Sequence, residues 1–341
     1  MRVFDGHNDV LSRLHRADGG NEAFLHGGDG HLDLPAARAG GLAGGLFAVF
    51  PCSPFAGEED PFAVDYARHV GQPEALADTL AMVERLARLE REAEGALRIV
   101  RDAETLDACL EGGALAAVLH VEGAEALDPG LGDLERLHAA GLRSLGIAWS
   151  RPNAFGHGVP FDFPGSPDQG PGLTGAGHAL VRACDELGIV VDVSHLNERG
   201  FWDLAETSAV PLVASHSNAH ALCPSPRNLT DDQLRAVGES GGLVGINFCA
   251  GFAREDGADD PDTPLSAVAA HAAHVAEVAG VETVALGSDF DGATMPHELD
   301  SAAKLPALLD ALRAFGFDGD ELERIALGNW RRVLRATWGA Q

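Results

Sequence analysis

The chain has 341 residues, 45% of them hydrophobic. That supports a large core, and α/β barrels reach this length as one unit. Fifty-two acidic residues against 24 basic give a formal net charge of −28, a surface that repels nucleic acid and anionic membrane, so neither is expected as a partner.

The five cysteines (Cys52, Cys109, Cys184, Cys223, Cys249) are scattered, with no C-x-x-C pair. This fits reduced thiols in a cytoplasmic protein better than a disulfide framework. The N-terminus has no apolar run of signal-peptide length, because Asp5, His7 and Asp9 interrupt it. The ending "RRVLRATWGAQ" has no anchor tail, and no stretch is long enough for a membrane span. A soluble, cytoplasmic protein is the expectation.

In chain order, the first apolar run is "VFDGHNDV" (3–10), followed by "LAGGLFAVF" (42–50). A helical pattern then covers 73–96. The strand "LAAVLHVEG" (115–123) precedes a helix at 131–140, and "RSLGIAW" (143–149) precedes a Gly- and Pro-rich stretch, 150–173. A helix at 174–187 leads to "IVVDVSH" (189–195), and a helix at 198–208 leads to "PLVASHS" (211–217). Thr230 caps a helix at 231–239, after which come "GLVGINF" (242–248), a helix at 264–279, "VALGSDF" (284–290) and a helix at 302–315. Asp318 caps a last helix running into "ELERIAL". Continuous apolar runs suit parallel strands buried on both faces. Eight β-α units predict a (β/α)8 TIM-like barrel of the metal-dependent hydrolase type, one domain over 1–341. A doubly wound sheet is the alternative, but "DGHNDVL" is not the Gly-rich phosphate loop it would usually carry after strand 1. The 150–173 stretch follows strand 4 and is expected to lie over the catalytic face.

Metal-type ligands gather at the C-terminal ends of these strands: His7 and Asp9, His120 and Glu122, His195, His216 and Asp289. Nitrogen and oxygen donors of this kind suit Zn²⁺, with Mn²⁺ or Fe²⁺ as alternatives. Five or more ligands with a carboxylate point to two ions, which lie ~3.5–4 Å apart in such centres. A carboxylated lysine cannot bridge them from a strand end, because the one lysine, Lys304, lies in a late helix; Glu122 is the natural bridge. A single histidine at a strand end is more often structural than a ligand, and joint placement on several strands carries the argument. His120 is read as a supporting or core residue, as are Asp5, Asp192 and Ser194. His220 is read as structural, and His271 and His274 as solvated helix positions. Arg227 either clamps a substrate carboxylate or pairs at the surface with Asp231 or Asp232.

The segments "DGHNDV", "HVEGAEAL", "LGIVVDVSHLNERGFWDL", "PLVASHSNAHALCPSPRNLTDDQL" and "ALGSDFDG" resemble the membrane (renal) dipeptidases, peptidase family M19 of the amidohydrolase superfamily, from residue 3 to about 335. The resemblance implies a (β/α)8 barrel with two zinc ions that hydrolyses dipeptides, D-residues being tolerated at the C-terminal position. It implies His7 and Asp9 on the first metal, Glu122 bridging, and His195 and His216 on the second. Arg227 would bind the dipeptide's carboxylate, and Asp289 would be the catalytic acid/base. Two positions depart: Trp149 stands where renal-type members carry a histidine that meets substrate, and Phe252 where they carry a tyrosine. Both changes bear on substrate range and leave the ligands intact.

The implied mechanism is attack of a metal-bridging hydroxide on the scissile carbonyl, with Asp289 shuttling the proton. The substrate partner is then a small dipeptide; homodimers are common in the family. A barrel hydrolase of an N-acyl amino acid, a lactone or a phosphoester is the rival enzyme, and a non-catalytic metal-binding scaffold is the rival from another class.

Overall fold

Apolar strands need cover on both faces, and a ring of helices outside with a filled interior supplies it. The computed structural model describes residues 1–17, 20–51 and 70–339. The described residues form nine strands: β1 (Val3–Asn8), β2 (Leu42–Val49), β3 (Leu97–Ile99), β4 (Leu115–Val121), β5 (Leu142–Gly146), β6 (Val190–Asp192), β7 (Val213–Ala214), β8 (Leu243–Ile246) and β9 (Val284–Leu286). All ladder pairs are parallel. The ring runs β1-β2-β4-β5-β6-β7-β8-β9, with β9 returning to β1. This closed eight-stranded (β/α)8 barrel excludes the doubly wound alternative.

β3 lies outside the ring. Its three residues pair with Leu115–Ala117 at the start of β4, whereas β5 pairs with Leu119–Val121 further along the same edge. The sequence reading runs the preceding helix to residue 96, but the helix spans Gln72–Glu92, and Gly95 at φ 90° turns the chain into β3. Only glycine takes that φ without strain.

The expected helices are present within a few residues of their assigned ends, from Gly175–Leu187 through Leu265–Ala279 to Leu305–Ala314. Thr230 and Asp318 each form a capping box, with Gln233 and Glu321 as reciprocal partners, which satisfies two orphan N–H groups per helix.

The barrel interior is packed. Phe4, Leu46, Ala116, Val118, Val190, Val213, Leu243 and Ala285 converge near the strand starts on Trp330, Val333 and Leu334 of the helix Asn329–Trp338. The Trp330 indole N–H donates to Leu286 O at 2.9 Å, and Asn329 donates to Val281 O and Val284 O. This helix plugs one end of the barrel and leaves the other for chemistry. Among the described residues, Cys109, Cys184, Cys223 and Cys249 are buried and unpaired; Cys52 lies outside them. No described helix is long and apolar enough to cross a membrane.

Candidate metal centre

His7 is the penultimate residue of β1, and Asp9, just beyond the strand, begins the helix Val10–Arg16. The run 3–10 places both within one strand, but the strand ends at Asn8 and Asp9 turns in from the helix N-terminus, its Oδ2 3.2 Å from His7 Nε2. Glu122 follows β4, with its N–H bonded to Val49 O. His195 and Asp289 follow β6 and β9 in left-handed backbone conformations, φ 68° and 66°, which non-glycine residues adopt rarely and chiefly at functional sites.

His216 arrives by another route. β7 has two ladder residues, and the chain then dips into the barrel. A Cβ on Gly6, Gly245 or Gly287 would lie 2.2, 2.0 or 1.9 Å from Ser215 O. Bare glycines on β1, β8 and just past β9 make room for this carbonyl, and the His216 ring stacks 3.9 Å from His7.

The donors form two groups sharing one carboxylate. His7, Asp9 and Glu122 make one; Glu122, His195 and His216 make the other. Glu122 Oε2 lies 3.7 Å from His7 Nε2. Its Oε1 lies 3.0 Å from His195 Nε2 and 3.6 Å from His216 Nε2. A third set, His7, His216 and Asp289, shares a residue with each. His195 Nε2 and His216 Nε2 are 3.0 Å apart, an arrangement of two lone pairs that a cation would stabilise. These donors therefore fit divalent metal.

Outer contacts set the tautomers. His195 Nδ1 lies 2.8 Å from Ser150 Oγ, and His216 Nδ1 lies 2.7 Å from Ser215 Oγ. With each Nε2 free to ligate, Nδ1 carries the proton and donates to the hydroxyl. Ser215 Oγ in turn donates to Asp192 Oδ2. Asp192 Oδ1 accepts from Ser194 N and Ser215 N, and Ser194 Oγ accepts from His216 N. Asp192 and Ser194 thus have the supporting role expected. So does Asp5, which accepts from the Ser288 hydroxyl and amide and from His7 N.

The electrostatics agree with cation binding. Burial, reinforced by Asp9 and Asp289, pushes the Glu122 carboxyl up to about 8 against the opposing charge of His7. Burial, and then the charges of Arg227 and His7, hold His195 and His216 well below the usual imidazole range. They are neutral, as ligands must be. For His7, burial pulls downward but is outweighed by the carboxylates of Glu122, Asp9 and Asp289, so its pKa is raised. Positive charge is wanted where those three acids meet. Burial also raises the Asp289 carboxyl, whose Oδ2 accepts from Asn247 Nδ2 at 2.9 Å. A Cβ on Gly292 would lie 2.2 Å from Asp9 Oδ2 and 2.7 Å from Asp289 Oδ1, so that glycine keeps open the space between the two acids.

Arg227 is 3% exposed and does not pair with Asp231 or Asp232, which meet Arg235. It donates to His216 O at 3.0 Å and towards Ser217 Oγ at 3.4 Å, while its Nε has no hydrogen-bond partner. A buried guanidinium with no carboxylate within ion-pair distance among the described residues is a ready anion site. Trp149 is half-buried, its ring 5.8 Å from that of His195.

The other histidines back the site or lie apart from it. His120 bonds to Ser144 Oγ through Nδ1 and lies edge-on to His7. His220 donates to Gly165 O, a structural role as read. His271 corrects the sequence reading. It is wholly buried, accepting from Ala219 N and donating to Ala253 O, because its helix turns that face to the core. His274 is also not free in solvent: it is half-buried against Asp231 at 2.8 Å.

The sequence reading missed Ser150, Ser215 and Asn247, and also a buried ion pair. Arg151 Nε and Glu125 Oε1 are 2.7 Å apart, with both side chains 1% exposed. Glu125 is three residues past Glu122, and Arg151 two past Trp149; that adjacency was the one available signal.

The membrane dipeptidase model (peptidase family M19) matches residues 1–340. The chain belongs to the membrane dipeptidase family. As a member of family M19 it is a metal-dependent dipeptidase, a peptide hydrolase on a (β/α)8 barrel. A metallo peptidase from Rhodobacter sphaeroides, solved with a phosphinate mimic of the dipeptide L-Ala-D-Ala, is 45% identical; the match covers 99% of each chain with a TM-score of 0.95. A second solved metallo peptidase of family M19, dipeptidase AC, is 46% identical with the same coverage and TM-score. An uncharacterized Klebsiella pneumoniae protein from the pqqA 5′ region is 49% identical over 74% of this chain and 93% of its own length.

Proposed function

We propose that this M19 dipeptidase is binuclear, with Zn²⁺ as the suited ion, and that it cleaves dipeptides with L- or D-residues at the C-terminal position. The observation that carries the reading is the split of Glu122, one oxygen towards His7 and the other towards His195 and His216. His7 and Asp9 would hold one ion, His195 and His216 the other, and Glu122 both. Bound there, the ions would supply Lewis acidity to the scissile carbonyl and lower the pKa of water.

The chain's own groups supply the rest. Arg227 would take the substrate's C-terminal carboxylate on its unpartnered Nε edge. Asp289 would take the proton from the attacking water and return it to the leaving amine, and its raised pKa suits that exchange. Trp149 would wall the substrate on the His195 side. Support for D-residues comes from the Rhodobacter relative, whose ligand mimics L-Ala-D-Ala.

Arg227→Ala tests the substrate class. With metal content verified, KM for L-Ala-D-Ala should rise about 10²-fold, the scale of losing a buried charged hydrogen bond. Hydrolysis of an amide-capped or lactone substrate should hardly change. An unaltered dipeptide KM would favour the reading with another small substrate.

A further inference from the structure

A chain of aromatic contacts crosses the mouth of the site above His195. The Trp149 and Phe161 ring centroids are 5.5 Å apart, and those of Phe161 and Phe252 5.8 Å. Each end rests on a buried guanidinium: Arg151 Cζ lies 5.4 Å from the Trp149 ring, and Arg227 Cζ lies 5.4 Å from the Phe252 ring. Beneath, the His195 ring is 5.8 Å from Trp149 and 6.3 Å from Phe161. Aromatic rings at these separations attract one another, and cations over their faces add to it.

Phe161 is the central ring. It belongs to the Gly- and Pro-rich stretch 150–173 and is 36% exposed. Its backbone is fixed on both sides. Val159 N donates to His195 O at 2.9 Å, and Gly165 N donates to Pro224 O at 2.8 Å. The next aromatic, Phe163, lies against Gly257, where a Cβ would be 2.4 Å from the ring. The ring is therefore held over the site by the chain on either side.

We propose that Phe161 is a specificity-determining residue. Together with Phe252 it limits the C-terminal residue of the substrate to a small apolar side chain. This rests on the dipeptidase reading: a carboxylate on Arg227 brings the adjoining side chain beside Phe252, under the Phe161 ring. A fixed apolar wall discriminates by volume, and a single methylene is worth roughly 10–200-fold in kcat/KM.

The test compares kcat/KM for L-Ala-D-Ala and L-Ala-D-Phe in wild type, Phe161→Ala and Phe161→Trp, each checked for thermal midpoint and metal content. Phe161→Ala should shift the ratio towards the D-Phe substrate by about tenfold or more, and Phe161→Trp should shift it the other way. Ratios within about twofold of wild type in folded, metal-loaded variants would overturn the inference while leaving the dipeptidase reading standing. Failure of the metal-loaded wild type to cleave any dipeptide would overturn the dipeptidase reading and the inference with it.

Discussion

His195 and Asp289 hold left-handed backbone angles because their side chains must turn back over the barrel mouth at the ends of β6 and β9. Such residues cost of order 1–3 kcal/mol and persist where the surroundings fix them. Here Val159 N bonds to His195 O, and Asp289 N bonds to His7 O. His7, Asp9, Glu122, His195, His216 and Asp289 were legible as a candidate donor set because one strand end after another carries a ligand type, whereas Arg227, in a loop after β7, stood open between a substrate clamp and a surface pair. The fate of His271 was not, since a helical face is assigned to core or solvent by what packs against it. His271 also sets a pH dependence of stability. Burial pulls its pKa from 6.5 to about 4. Between those values the unfolded chain holds a proton that the folded one refuses, so stability falls as pH drops from 6.5 to 4. The full loss is about 3 kcal/mol. His271→Gln should flatten that acid limb in urea unfolding measured against pH. An unchanged slope would assign the acid sensitivity elsewhere.

At the scale of elements, the two-residue β7 shows why strand reading overshoots. The run 211–217 reads as one strand, but its apolar part ends at Ala214, where the ladder also stops, and Ser215 and His216 enter the barrel. β3 was invisible for the opposite reason: its three residues merge with the end of a helical pattern. Gly245 is the sharper case, because nothing in the sequence shows that the Ser215 carbonyl, just past β7, needs its bare Cα. Gly245→Ala would place a methyl 2.0 Å from Ser215 O. Overpacking of this sort costs about 1–3 kcal/mol. The displaced His216 should weaken metal affinity at least about tenfold, as loss of a ligand's support does. Metal titration of the folded variant measures this. Gly112→Ala, where nothing lies within 4 Å, is the control. Equal affinity in both variants would show that His216 does not depend on this approach.

Across the whole molecule, the chemistry collects at the mouth because the C-terminal helix fills the opposite end with Trp330. Barrel class was legible from the alternation of apolar runs and helical patterns. The aromatic contacts over the site were not, because Phe252 follows β8 while Trp149 and Phe161 follow β5, and the two connections meet only once the barrel closes. Glu122 draws the His7–Asp9 side and the His195–His216 side into one centre. The most direct test is elemental analysis of the purified chain, wild type and Asp289→Asn, after equilibration with Zn²⁺ and alongside L-Ala-D-Ala turnover. Two ions per chain are expected in both proteins, with kcat reduced about 10²–10⁴-fold in the variant. Full dipeptidase activity with one ion per chain, or an Asp289→Asn enzyme as fast as wild type, would contradict the two-metal, Asp289-assisted mechanism.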